Sequence, residues 1–82
     1  MTYCFERYWN QDYYFGWYRW SSLGMLRVYG PSEQDGHHWW YVVHPSGNAL
    51  AQGQAPTLEG AKRGATQDAK RIIAEREAAA DA

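Results

Sequence analysis

Residues 39–62 read WWYVVHPSGNALAQGQAPTLEGAK and contain the clearest structural signals in the chain. Aromatic and β-branched residues at 39–43 favour a strand, the turn-forming run 45–48 follows, and 49–52 is a second short strand candidate. This pattern predicts a β-hairpin. Thr57 is a good helix N-cap, and the residues after it are mostly strong helix formers. We therefore predict that the hairpin leads into one long helix at about 57–80.

The predicted helix has an apolar stripe that consists mostly of alanine. Its members recur at spacings of three and four, which is one face of a 3.6-residue period: Leu58, Ala61, Ala65, Ala69, Ile72 and Ile73. Gly60 and Gly64 each weaken a helix by about 1 kcal/mol relative to alanine. We expect such glycines where a backbone comes close to a bulky group. The helix is therefore expected to pack closely on large side chains.

The residues before the hairpin supply further strand candidates. Residues 25–29, MLRVY, predict a strand that a polar loop with glycine at both ends, 30–36, joins to the hairpin. Residues 3–9 and 14–20 are also predicted to be extended, with 10–12 separating them. The simplest architecture is an α+β fold with an antiparallel sheet of three to five strands and one long C-terminal helix on one face. We predict a single domain, 1–82, with the strands within 2–54.

Side-chain size divides the chain into two halves. All fourteen aromatic residues lie between Tyr3 and Tyr41, and all eleven alanines lie from Ala49 onward. The 82 residues give room for one domain, and the formal net charge is −1. No apolar run approaches the roughly 18 residues of a membrane helix, and the first residues lack a signal-peptide layout, so we expect a cytoplasmic protein without membrane association. The single cysteine, Cys4, is interpreted as a small hydrophobe.

Motifs for catalysis, metal binding or cofactor binding are missing from the sequence. There is no nucleophile elbow, phosphate-binding loop or dinucleotide fingerprint. Three histidines invite a metal-site interpretation, but His37 and His38 would point to opposite sides of a strand. His38 and His44 would lie about 20 Å apart. We predict a protein that is not an enzyme and has no metal or cofactor.

The aromatic half exceeds what one helix can cover. Strand alternation places Trp39 and Tyr41 on one face of the sheet and Trp40 on the other, and it separates Trp17 from Tyr18 in the same way. At roughly 150–250 Å² each, the aromatic side chains represent about 2,000–3,500 Å² of surface. One helix covers one face, so the other is expected to keep aromatic surface available.

Four uses of that surface are consistent with the sequence. Tyrosine and tryptophan can simply sit half-exposed. The favoured use is a protein interface, including a homodimer, because Trp, Tyr and Arg dominate binding hot spots. Stacking of single-stranded nucleic acid is less favoured, since residues 1–44 carry three arginines against four acidic residues. Carbohydrate stacking ranks last. The predicted partner-binding residues are Tyr14, Trp17, Tyr18, Arg19, Trp20, Arg27, Trp39, Trp40 and Tyr41.

The predicted helix has a charged surface as well as its apolar stripe. Arg63 and Lys70 are seven residues apart and share one face. The favoured interpretation of these charges is a solvated helix surface, and the alternative is a small basic spot for an acidic or phosphate group.

The stretch 40–62 carries a resemblance to known proteins. Its aromatic strand, glycine-containing turn, short strand and Thr-Leu-Glu helix start are similar to small phage and mobile-element proteins and to the ending of HicB antitoxins. In size and style the chain also resembles anti-CRISPR proteins. The resemblance implies a protein that acts sterically on a host defence complex. The alternative is an antitoxin-like or nucleic-acid-associated regulatory module.

Overall fold

The computed structural model describes residues 5–11 and 16–80, and within them the chain forms one antiparallel sheet and one helix. The five strands pair in sequence order, each antiparallel to the next. This confirms the predicted α+β class with a long C-terminal helix. The elements are β1 (Asn10–Gln11), β2 (Trp17–Trp20), β3 (Met25–Tyr29), β4 (His38–Val43), β5 (Ala49–Ala55) and α1 (Leu58–Ala80).

The core lies between α1 and the face formed by β3, β4 and β5. Leu26, Val28 and Val42 point into it from the sheet and are fully buried. On the helix side, the core is lined by Ala61, Ala65 and Ala69, which have no exposed surface, and by Ile72 and Ile73, which are 8% exposed. The predicted alanine stripe is therefore the packing face of the helix.

Trp40 is the large side chain that the small helix residues accommodate. Its indole lies between β5 and α1, and a Cβ atom built on Gly53 or Gly64 would collide with the ring. Trp40 Nε1 donates a hydrogen bond of 2.8 Å to Asp68 Oδ2 on the helix. The sequence predicts that the helix backbone at Gly64 comes close to a bulky group, and in the structure this group is the Trp40 indole.

Local capping and a bulge set the positions of α1 and β5. The Gly60 backbone N–H donates to Thr57 Oγ1 at 3.0 Å, so Thr57 is the N-cap that the sequence predicts. In the β4–β5 pair, Val42 is opposite Ala51 whereas Val43 is opposite Ala49. The extra residue at this bulge, Leu50, packs against the core.

The first strand differs from the sequence prediction. Within 5–9 the structure has a single bridge, from Phe5 to Ser21, and no strand, while Asn10–Gln11 forms the edge strand β1. The Glu6 carboxylate explains the bend, because its Oε2 accepts hydrogen bonds from both the Trp20 backbone N–H and Asn10 Nδ2. The strand prediction for 3–9 was therefore wrong over the described part. Cys4 lies outside the described residues. The last strand runs to Ala55, one residue beyond the predicted limit.

Candidate functional site

The sheet has a face that the helix does not cover, which we call the open face. Alternation along the strands points these side chains away from α1, opposite to buried Leu26, Val28 and Val42. The strand register arranges them in three rows: Tyr29, Trp39 and Gln54; Tyr18, Arg27, Tyr41 and Gln52; Trp20, Met25, Val43 and Ala49. Aromatic side chains thus occupy every row of the open face.

A shallow depression of about 430 Å³ lies in the open face. Tyr29 and Trp39 stand at one end of it, and Tyr41 and Arg27 occupy the middle row. Val43, Gly47 and Ala49 complete the lining at the hairpin end. The turn that the sequence predicts between the last two strands therefore forms part of the rim.

Contacts between neighbouring side chains hold the depression in shape. The rings of Tyr29 and Tyr41 meet edge to face, with centroids 5.8 Å apart and planes at 71°. Arg27 Cζ lies 5.0 Å from the centre of the Tyr29 ring, and Arg27 Nη1 donates to Met25 Sδ at 3.3 Å. A ligand would therefore meet side chains that already have defined positions.

Three aromatic side chains of the open face are exposed to solvent. Trp20 is 49% exposed, Tyr29 39% and Trp39 36%. Large aromatic side chains are normally mostly buried in small domains, so their concentration on one face distinguishes this surface from scattered exposed apolar residues. The open face is the aromatic surface that the alternation argument predicts.

The structure brings together five of the nine predicted partner-binding residues. Tyr18, Trp20, Arg27, Trp39 and Tyr41 share the open face. Tyr14 lies outside the described residues.

Trp17, Arg19 and Trp40 lie on the opposite, helix-facing side of the sheet. Trp17 lies beneath Lys62, and the indole of Trp40 is enclosed by β5 and α1. The Arg19 guanidinium lies 5.2 Å from the centre of the Phe5 ring, and its Nε donates to the Glu6 carbonyl. These three side chains build the fold around the sheet and do not reach the open face.

The sequence prediction did not include Tyr29, whose ring meets that of Tyr41 in the depression. Tyr29 is two residues after Arg27 on the strand Met25–Tyr29, which the sequence predicts and the structure confirms. Alternation places residues two apart on the same face. The rule that groups Trp39 with Tyr41 therefore also groups Tyr29 with Arg27.

The histidines do not converge on one site. His37 Nδ1 lies 3.4 Å from Gln54 Oε1 and 3.7 Å from Asp35 Oδ2, and His44 Nδ1 lies 2.8 Å from Ser46 Oγ. Over residues 5–11 and 16–80, no group of three or more His, Cys, Asp or Glu side chains is arranged to hold a metal ion.

Comparison with protein-family models, curated proteins and solved structures finds none that matches this chain. In the part of the chain that the structure describes, no helix combines the length and apolar character needed to cross a membrane. The function is therefore inferred from the open face itself.

Proposed function

We propose that this chain is a non-enzymatic, cytoplasmic protein-binding module that acts sterically through its open face. The observation that supports this function best is the depression lined by Tyr29, Trp39, Tyr41 and Arg27, with exposed rings at its edge. Tryptophan, tyrosine and arginine are the residue types that contribute most binding free energy at protein interfaces. Their fixed positions reduce the conformational entropy that binding costs.

The partner that fits this face is a different protein with a projecting apolar loop or helix. Four strands about 4.8 Å apart, with side-chain rows about 6.7 Å apart, give the open face a flat footprint of about 400 Å². Stable interfaces typically bury about 800 Å² of accessible surface on each partner, so the partner is expected to reach beyond this footprint. Two copies joined only by their open faces would set one depression against the other and leave both unfilled.

A projecting element fills the depression and lets the partner extend past the rim of the sheet. Near the rim, Trp20 adds a second exposed indole beside Phe5, Ser21 and Ser22. This gives the interface a centre and a flanking contact, which is how hot-spot residues are usually arranged.

A host defence complex is the partner class that we propose to examine first. Its support is the resemblance in size and style to small phage-encoded inhibitors. Blocking a surface of a large complex requires only affinity and bulk. The aromatic side chains of the open face are suited to provide the affinity. The site residues that we propose do not depend on which complex is the target.

A capture experiment with open-face variants tests the proposed function. The tagged protein is incubated with bacterial lysate, and the retained proteins are quantified by mass spectrometry for the wild type and for Tyr29→Ser/Trp39→Ser. Tyr8→Ser is the matched control, because Tyr8 is 68% exposed and lies outside the strands of the sheet. We expect one specific partner to be retained by the wild type and Tyr8→Ser and lost with the double variant.

Self-association is measured in parallel by light scattering after size-exclusion chromatography. If the wild type is a dimer and the double variant is a monomer, the partner of the open face is a second copy of this chain and not a different protein. Retention of the same partner by the double variant would refute the role of the open face, provided that circular dichroism shows both variants to be folded.

A further inference from the structure

A second groove, on the helix side of the molecule, combines an indole with a cluster of cations. It has a volume of about 410 Å³ and lies between α1 and the segment before β1. Trp9 forms one wall, and Lys62, Arg63 and Lys70 line it from the helix. We call it the basic groove. It is separate from the open face, which points away from α1.

The basic groove is positively charged although the chain as a whole is not. Among the described residues that line it, Lys62, Arg63 and Lys70 contribute three positive charges and Glu59 one negative charge, a balance of about +2 against a formal net charge of −1 for the chain. Residues 1–44 taken alone have no basic excess, with three arginines against four acidic residues. The basic groove arises because the fold places helix cations against Trp9.

Lys62 is held at the floor of the groove by aromatic rings. Its Nζ atom lies 4.0 Å from the centre of the Trp17 ring and 5.9 Å from that of Trp9, and its side chain is 15% exposed. Glu59 Oε1 lies 3.9 Å from the same atom. Lys62 therefore forms the floor of the basic groove and adds a positive charge there.

Arg63 and Lys70 are the cations available to a ligand. Both are exposed, and neither takes part in the ion pairs found among residues 5–11 and 16–80, which on the helix involve Lys62 and Arg71. Seven residues separate the two, which is about 10 Å along a helix axis. Two anionic groups of one extended ligand can reach them together.

We propose that the basic groove binds a single strand of nucleic acid, with phosphates at Arg63 and Lys70 and a base against Trp9. Single-strand binding sites combine a cationic track for the backbone with aromatic side chains for the bases, and the groove has both. The indole wall favours this ligand over an acidic peptide, whose carboxylates need only the cations. The proposal is independent of the proposed function, because the two surfaces lie on opposite sides of the sheet.

The test measures fluorescence anisotropy of a labelled oligothymidylate of about 12 nucleotides at several salt concentrations. The variant Arg63→Gln/Lys70→Gln removes two cations of the groove. The matched control Arg71→Gln/Arg76→Gln removes the same charge from exposed positions of the same helix outside the groove. Circular dichroism verifies that both are folded.

We expect the groove variant to weaken binding at least about tenfold at low salt and the control to change it less than about twofold. With two phosphates neutralised, at Arg63 and Lys70, log K should fall with log salt at a slope of about −1.4, and the groove variant should bring this slope close to zero. In amide NMR spectra the indole N–H signals of Trp9 and Trp17 should shift on titration, while those of Trp20 and Trp39 should not.

Three results would overturn the proposal. The first is equal weakening by the two double variants, which would indicate unspecific charge attraction. The second is the absence of binding at low salt. The third is an acidic peptide or thymidine monophosphate that competes as strongly as the oligonucleotide at equal phosphate or carboxylate concentration, because either would assign the groove to a different ligand.

Discussion

Gly64→Ala provides a sharp test of how the helix packs on the sheet. A methyl group at residue 64 would lie 2.7 Å from Trp40 Cη2 and 2.8 Å from Cζ2 and Cζ3. Carbon atoms in contact prefer about 3.5–4.0 Å, so the ring or the helix would have to move by nearly 1 Å. The ring has little freedom, because Gly53 lies against it and Trp40 Nε1 is hydrogen-bonded to Asp68.

The net effect of Gly64→Ala is the difference between two opposing contributions. Overpacking costs about 1–3 kcal/mol, and the rigid surroundings of Trp40 place this site in the upper part of that range. Alanine stabilises a helix by about 1 kcal/mol relative to glycine. We therefore expect Gly64→Ala to lower the free energy of unfolding by about 1–2 kcal/mol and the melting temperature by about 4–16 °C.

A second background separates the two contributions. Phenylalanine at residue 40 lacks the outer ring atoms of the indole that a methyl group at residue 64 would meet. In the Trp40→Phe protein, Gly64→Ala should therefore raise the free energy of unfolding by about 1 kcal/mol, which is the helix-propensity gain alone. Urea denaturation followed by far-ultraviolet circular dichroism measures all four proteins of this cycle. Stabilisation of the wild type by Gly64→Ala would refute the close helix–indole contact.

Three further substitutions test separate parts of the structure by thermal or urea unfolding. Thr57→Ala should cost about 1 kcal/mol, because the Gly60 N–H loses its capping acceptor, and no loss would mean that Thr57 is not the cap. Leu26→Ala should cost about 2–5 kcal/mol because Leu26 is fully buried, whereas a cost below about 1 kcal/mol would contradict the position of the core. Trp39→Ser should cost less than about 1.5 kcal/mol, since Trp39 is 36% exposed, and a cost comparable to Leu26→Ala would make it a core residue.

Local signals were sufficient for the fold from β3 onward. The strand Met25–Tyr29, the turn at 45–48 and the helix that Thr57 caps all follow from residue preferences within a few positions. The stripe of alanines also predicted which helix face packs against the sheet. Each of these features depends on neighbours in sequence.

Features that depend on distant contacts were not predictable from local patterns. Residues 6–9 contain the aromatic residues typical of a strand, but the Glu6 carboxylate accepts a hydrogen bond from the Trp20 backbone and bends the segment. Alternation correctly separated Trp39 from Trp40. It could not say which of the two the helix covers, because that depends on the glycines at 53 and 64 meeting around the indole of Trp40.

The basic groove illustrates the same limit at the level of function. Trp9 is 53 residues before Lys62 in the sequence, and only the fold brings their side chains together. A count of charges and aromatic residues segment by segment does not relate Trp9 to Lys62. A candidate site that combines two segments requires the topology of the sheet and the path of the helix.

The response of the five tryptophans to a bound partner shows whether the open face is the surface that binds it. The indole N–H signals are assigned by Trp→Phe variants and followed by NMR while the captured partner is added. We predict that the signals of Trp20 and Trp39 shift or broaden, and that the signal of Trp40, which lies beneath the helix, stays in place. A partner that perturbs Trp40 and leaves Trp20 and Trp39 unchanged would contradict the assignment of the open face as the binding surface.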